Sequence, residues 1–480
     1  MSSLLKSTII YTPSILVPKI FSYLILIIFT RLLTPSEFGL YALVVIYGES
    51  LDSVFMNWFR LGILRFLKKN SYTYGNGLIA ASIYIYFIIL IVGILAIILL
   101  TFVNYSDDSI LFFSSLTLWF VGNSAMRFGL TILRSRNQQK LYTIFEVLRP
   151  TLSFVGIFLL AHFIGFSYIS LTFGFFGVTA LFGAGVLFWV LKHCFQVSAN
   201  WQTMYQLIQY ASPLVLLFLL SSVIQATDRY MLDSLMGTAI VGVYAASFSL
   251  SRPITEIIFT AINLGAFPQL IKLYEQEGDH AAIAHLSKIF SMLLYWGVPV
   301  TVGIAALAKP ISSLVLGEEY RHTANLLIPL MTLTGLLDGI KRFVFDQVFH
   351  LKKASMMHLY TLFPAALLNI ILNFILIQSY GAGGAAEATF LSFLLALLLS
   401  VHLSRKIFSI PFPVKEACII FFSSLIMWCC LFNIMLENAT IQLLIAIPLG
   451  AAVYFLVSGL LGSEITKKTF QYISSHILSS

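Results

Sequence analysis

Runs of about twenty apolar residues without one charge recur along this chain, and few folds accept them. Residues 79–101, 167–190 and 441–461 are such runs. A run of that length crosses the hydrocarbon core of a bilayer as a helix, because a helix closes its own backbone hydrogen bonds. Strands of a membrane barrel are shorter and alternate in polarity, and these runs do not. Composition agrees. Of the 480 residues, 59% are hydrophobic and 10% charged, against about 25% charged in water-soluble domains. The expected fold class is all-α, a polytopic integral membrane protein.

Fourteen spans are expected, near residues 7–30, 39–60, 78–102, 110–131, 143–164, 167–190, 208–227, 239–262, 289–308, 323–347, 358–378, 382–403, 414–434 and 441–461. Lys and Arg set the orientation, since cytoplasmic loops collect them. With both termini in the cytoplasm, cytoplasmic segments hold 17 of the 28 Lys and Arg, and external segments hold 4. The expected location is the cytoplasmic (inner) membrane. The polar stretch 272–288, with Glu275, Glu277, Asp279 and His280, reads as an amphipathic connector on the inner membrane surface. The early Lys6, then Pro13 and Pro18 with no small-residue cleavage site, indicates a retained first helix and not a signal peptide.

The net charge of +8 sits in short basic clusters between apolar runs, which marks a cytoplasmic face and not a nucleic-acid partner. Cys194, Cys418, Cys429 and Cys430 show no CxxC or Cys/His spacing, so no metal site or disulfide framework is indicated. No P-loop, GxSxG, HExxH or GxGxxG in a strand-turn-helix setting occurs. Asp107 and Asp108 have no polar domain around them and read as surface charge. The expectation is a protein that is not an enzyme and uses no cofactor.

The chain repeats itself. Gly39-Leu40-Tyr41-Ala42 and Gly242-Val243-Tyr244-Ala245 align at an offset of 203, each opening a span after a polar external turn. Pro150 and Pro364 align at an offset of 214. Two lobes of six spans are expected, 1–195 and 205–405, with two additional helices at 410–465. An even number of spans per lobe gives both the same orientation, related by a pseudo-twofold along the membrane normal, with the solute path near the midplane.

The first hairpin FTRLLTPSEFGLYAL (29–43) and the segment WFRLGILRFLKK (58–69) resemble the multidrug/oligosaccharidyl-lipid/polysaccharide exporter superfamily. So do TDRYMLDSLMG (227–237) and LLNIILNFILIQSYGAGGAAEATFLS (367–392). Within it, the chain is similar to the polysaccharide transporters, the Wzx-type flippases of lipid-linked oligosaccharides. The resemblance implies movement of a polyprenyl-pyrophosphate-linked sugar unit of O-antigen, capsule or exopolysaccharide to the external leaflet. Its implied partners are that lipid-linked oligosaccharide, membrane lipids, and polysaccharide polymerase and chain-length regulator proteins. A cation-coupled multidrug antiporter of the same superfamily is the first alternative and a membrane oligosaccharide polymerase the second.

A charge at a helix centre costs about 2.5–3.5 kcal/mol on insertion scales, so it faces a bundle interior or a wet cavity. At about 1.5 Å per residue, Lys19, Glu49, Asp52 and Arg252 are among the deepest charges of the chain. Glu49 and Arg252 are equivalent at the offset of 203. They either pair across the lobes in one conformational state, or Arg252 pairs locally with Glu256. Lys19, after Pro18, is positioned to meet a pyrophosphate or acidic sugar, or to snorkel to an interface. Asp338, Lys341, Arg342 and Asp346 share one helical stripe, either a salt-bridged water-facing stripe or an entrance ring for an anionic head group. Arg60, Arg127 and Arg149 each fit an interfacial anchor, and together they would make the inner mouth positive. The central-cavity candidates are therefore Lys19, Glu49, Asp52, Arg60, Arg127, Arg149, Arg252, Glu256, Lys341 and Arg342. Asp228 and Asp338 are the candidates for a coupling ion.

Overall fold

A computed structural model describes residues 3–69, 72–103, 107–194, 199–352, 354, 356–434 and 436–477, and these are almost wholly helical. The helices are α1 (Ser3–Leu32), α2 (Pro35–Asp52), α3 (Trp58–Lys69), α4 (Tyr72–Val103), α5 (Asp107–Ser135), α6 (Gln139–Ile164), α7 (Tyr168–Cys194), α8 (Trp201–Ala211) and α9 (Leu214–Met236). They continue with α10 (Thr238–Glu277), α11 (Asp279–Ala306), α12 (Ala308–Val315), α13 (Glu318–Ile340), α14 (Asp346–Leu351), α15 (Met356–Arg405), α16 (Val414–Phe432), α17 (Ala439–Leu460) and α18 (Glu464–Ile477). One π-helical turn, Ser53–Asn57, joins α2 to α3, and another, Lys341–Phe345, joins α13 to α14. The side chains of Lys6, Asp107, Asp108 and Cys194 lie outside the described residues.

Among the described residues, twelve helices are long and apolar enough to cross a membrane. One of them, α15, turns at Gly381, whose φ of +57° belongs to the left-handed region that glycine adopts without strain. Its two halves are separate crossings, and α1, with 30 residues, has the length for one more. The fourteen expected spans are thereby accounted for.

Local chemistry explains the boundaries. The TPSE of the first hairpin is a capping box: Thr34 Oγ1 accepts from the Glu37 amide, Glu37 Oε2 accepts from the Thr34 amide, and Pro35 occupies the first turn. Where the sequence indicated a surface connector at 272–288, α10 instead runs on to Glu277 and α11 starts at Asp279. Its polar residues are helix ends flanking Gly278, and Lys352 donates to Asp279 at 3.0 Å. The seventh span begins later than expected because Pro213 stands at the N-cap of α9. Before it lies α8, a short helix capped by Asn200 that buries Met204, Leu207 and Ala211 and exposes Trp201 and Tyr205.

The helices form two compact units, Met1–Gly242 and Val243–Ser480. In the first, α7 packs on α5 and α6, α1 on α6, and α2 on α5. Small hydroxyl residues bond across these seams, Ser115 to Thr172 and Ser153 to Thr179, both at 3.3 Å, contacts worth about 0.6 kcal/mol each between membrane helices. This unit extends past the expected boundary at 195. Leu207 of α8 lies against α3 at Gly62, and Tyr230 of α9 donates to Ser50 at 2.8 Å. In the second unit α16 packs on α11 and α17, and Tyr454 donates to the Tyr295 carbonyl at 2.8 Å, so α16 and α17 contribute to its core.

Within the first unit the opening turns of α2 and α10 approach closely. A Cβ on Gly39 would strike the Thr238 carbonyl oxygen, and one on Gly242 would strike the Pro35 carbonyl oxygen. All four residues obey the offset of 203, so the contact is reciprocal, as between copies of one motif.

Two charge clusters, one in each unit

In the first unit α2, the π turn, α3 and α5 bring together Glu49, Asp52, Arg60 and Arg127. Asp52 is buried, 1% exposed, and Arg60 grips it with both nitrogens at 2.7 Å. Eight residues of straight α-helix would leave Arg60 about 80° round the axis from Asp52. The intervening π turn winds more slowly and brings the two onto one face. From α5, Arg127 reaches the same carboxylate at 2.7 Å and makes a forked pair with Glu49, at 2.9 and 2.5 Å. The Arg127 guanidinium also lies 5.5 Å from the Trp119 ring. Two carboxylates face two guanidiniums, and the cluster is neutral.

In the second unit α10, α13, the second π turn and α14 assemble three cations and three anions, with α15 packed beside them. Asp338 accepts from Arg252 and Arg342, both at 2.5 Å. The Arg252 guanidinium also lies 4.8 Å from the Phe393 ring. Arg342 reaches Glu256 at 3.8 Å. Lys341 bonds Asp346 at 2.6 Å, a spacing of five that an α-helix would turn apart. The π turn, in which the Asp346 amide donates to the Lys341 carbonyl, sets them side by side. Ser400 donates to Asp346 at 3.0 Å, and His358 Nδ1 lies 3.8 Å from it.

Several expectations change. Glu49 and Arg252 each take a partner in their own unit, Arg127 and Asp338 respectively. Arg252 does not take Glu256, because Glu256 turns to Arg342. The Asp338–Asp346 stripe is not water-facing along its length. Lys341 and Asp346 are buried on each other, and only Arg342 is half-exposed. Arg60 and Arg127 add no net positive charge, because carboxylates compensate both.

The remaining candidates lie apart from these clusters. Lys19 is half-buried on α1 with no ion pair among the described residues. Arg149 lies 3.5 Å from Glu146 on its own helix, with its Nε buried and unpartnered. Asp228 is buried beside Arg229 at 3.2 Å. Charge counting did not point to Trp119, Ser400, His358 or Phe393, and their spacing to the clusters carries no local signal.

Compensated charges thus sit between helices long and apolar enough to cross a membrane, where acyl chains would not accommodate them. The chain belongs to the polysaccharide biosynthesis protein family, whose profile residues 28–325 match. It is 28% identical over 217 residues to the "Probable low-salt glycan biosynthesis flippase Agl15" of Haloferax volcanii, a match spanning 45% of each chain. Its fold is similar to that of the lipid II flippase MurJ in an inward closed conformation, with a TM-score of 0.77. That likeness covers 94% of this chain and 98% of the other at 16% identity. The inward-facing structure of a multidrug resistance MATE family transporter of the MOP superfamily superposes with a TM-score of 0.59 at 15% identity, covering 83% of this chain and 94% of the other.

Proposed function

We propose that this chain is a flippase and not an enzyme. It carries a polyprenyl-pyrophosphate-linked oligosaccharide repeat unit across the cytoplasmic membrane by alternating access. The observation that carries this reading is the pair of neutral, partly exposed clusters held inside apolar helices. Acyl chains do not accommodate such groups, whereas a route for a sugar head needs them. Pyrophosphate oxygens match guanidinium forks, and Arg127 and Arg342 are half-exposed forks. The family, the flippase relative in Haloferax volcanii and the MurJ-like fold support the same substrate class.

The two-lobe repeat is part of the proposal and has independent support. Glu49 and Arg252 are 203 apart, while their partners Arg127 and Asp338 are 211 apart, within the range of offsets in the sequence. The same seam carries an ion pair in each unit, with its polarity reversed. Both termini are assigned to the cytoplasm, and the polymerase and chain-length regulator act on the exported unit.

Deletion in the native host tests this reading. Undecaprenyl-linked repeat units should accumulate on the cytoplasmic leaflet, read by accessibility to an impermeant glycan probe in spheroplasts and inverted vesicles. Single units appearing on the outer surface would point to a polymerase, and unchanged glycans to a drug antiporter. Either result overturns the proposal.

A further inference from the structure

Arg127 is held by two carboxylates in different settings. Asp52 is 1% exposed and already bound by both nitrogens of Arg60, so it forms a fixed inner layer. Glu49 is 44% exposed and takes both terminal nitrogens of Arg127, whose own exposure is 36%. A half-exposed ion pair costs less to open than a fully buried one. The outer pair can therefore open while the inner one keeps the guanidinium in place. Two carboxylate oxygens on a guanidinium fork present the same donors and charge pattern as two phosphate oxygens.

We infer that Glu49 is an internal stand-in for the lipid pyrophosphate: it fills the Arg127 fork in the empty carrier and is displaced by phosphate oxygens in the loaded one. This rests on the flippase reading and assigns a release role within it. A cation left bare would hold an anionic head group too tightly, and a ligand shifts a carrier only through its differential affinity for the two states. By competing for the fork, Glu49 weakens substrate binding and drives the head group off after passage. Asp52 positions the guanidinium, and Trp119 lies against it.

The test uses the full chain in detergent micelles with farnesyl diphosphate as the probe and farnesol as the uncharged control. Glu49→Gln should bind farnesyl diphosphate about tenfold tighter, the scale of one charge-assisted hydrogen-bonded contact no longer displaced. Farnesol binding should not change. Glu49→Asp, which keeps the competing charge, should stay within about twofold of wild type. The gain should vanish when Arg127→Gln is added. Flipping by Glu49→Gln should slow although affinity rises, a combination that mere loss of structure does not produce. Equal or weaker binding by folded Glu49→Gln, or a gain that persists without Arg127, overturns the inference. A second measurement needs no variant: carbodiimide labelling of wild-type Glu49, read by mass spectrometry, should rise several-fold with farnesyl diphosphate while Asp52 stays unlabelled. No rise also overturns it. Wild-type binding without the gain or the labelling change sinks the exchange alone, whereas the leaflet assay in cells decides the flippase reading separately.

Discussion

Asp52→Ala is expected to destabilise the protein by about 3–5 kcal/mol, the cost of leaving a buried partner charge uncompensated. Arg60 bears the loss, being 9% exposed with Asp52 as its two-point partner and, among the described residues, only Asn57 Oδ1 besides, at 3.4 Å. Arg127 suffers less because Glu49 still holds it. A domain is stable by about 5–15 kcal/mol, so this change removes a large share of the margin. The checks are the thermal midpoint and monodisperse yield in detergent. Adding Arg60→Leu should recover most of the loss, since replacing both members of a buried pair by apolar groups is often near neutral. A double variant no better than Asp52→Ala would mean that the carboxylate acts through something other than its cation.

Asp338→Ala should be of similar severity, about 3–5 kcal/mol, because one carboxylate holds two guanidiniums. Arg342 retains Glu256, but Arg252, 11% exposed, keeps among the described residues only the ring faces of Phe248 and Phe393. The polarity reversal between the units makes a sharper prediction. Glu49 on α2 faces Arg127 on α5, while Arg252 on α10 faces Asp338 on α13. A helix pair that holds acid-to-base in one unit and base-to-acid in the other should tolerate exchange. Arg252→Asp combined with Asp338→Arg should therefore recover about half of what either single reversal loses, with Arg342 beside the new cation limiting the gain. Losses that simply add in the double variant would rule out a direct pair.

Much of the fold was legible because bilayer thickness and backbone satisfaction leave little freedom. Charge-free runs marked the spans, while the orientation read from the basic residues between them is part of the proposal. The depth ruler also singled out Glu49, Asp52 and Arg252, all members of the two clusters. Partners were not legible. Glu49 and Arg127 are 78 residues apart, and Arg252 and Asp338 are 86 apart. Which face of a helix meets which neighbour depends on its rotation, and a uniformly apolar helix such as α4 gives no periodic signal for that. The π turns were hidden as well. SVFMN and KRFVF contain neither glycine nor proline, yet each π turn sets an ion pair that an α-helix would turn apart. Helix α8 could have been found, since Asn200 followed by Met204, Leu207 and Ala211 is a cap and an apolar stripe at helical spacing.

We propose that the clusters serve passage of an anionic lipid-linked sugar. The most direct measurement places the purified chain in proteoliposomes holding a fluorescent polyprenyl-pyrophosphate oligosaccharide, with an impermeant quencher outside. Wild-type protein should bring nearly all of the label within reach of the quencher, and Arg127→Gln should leave it near half, the level of protein-free vesicles. If wild-type vesicles match protein-free ones, or if folded Arg127→Gln flips as fast as wild type, the account is contradicted.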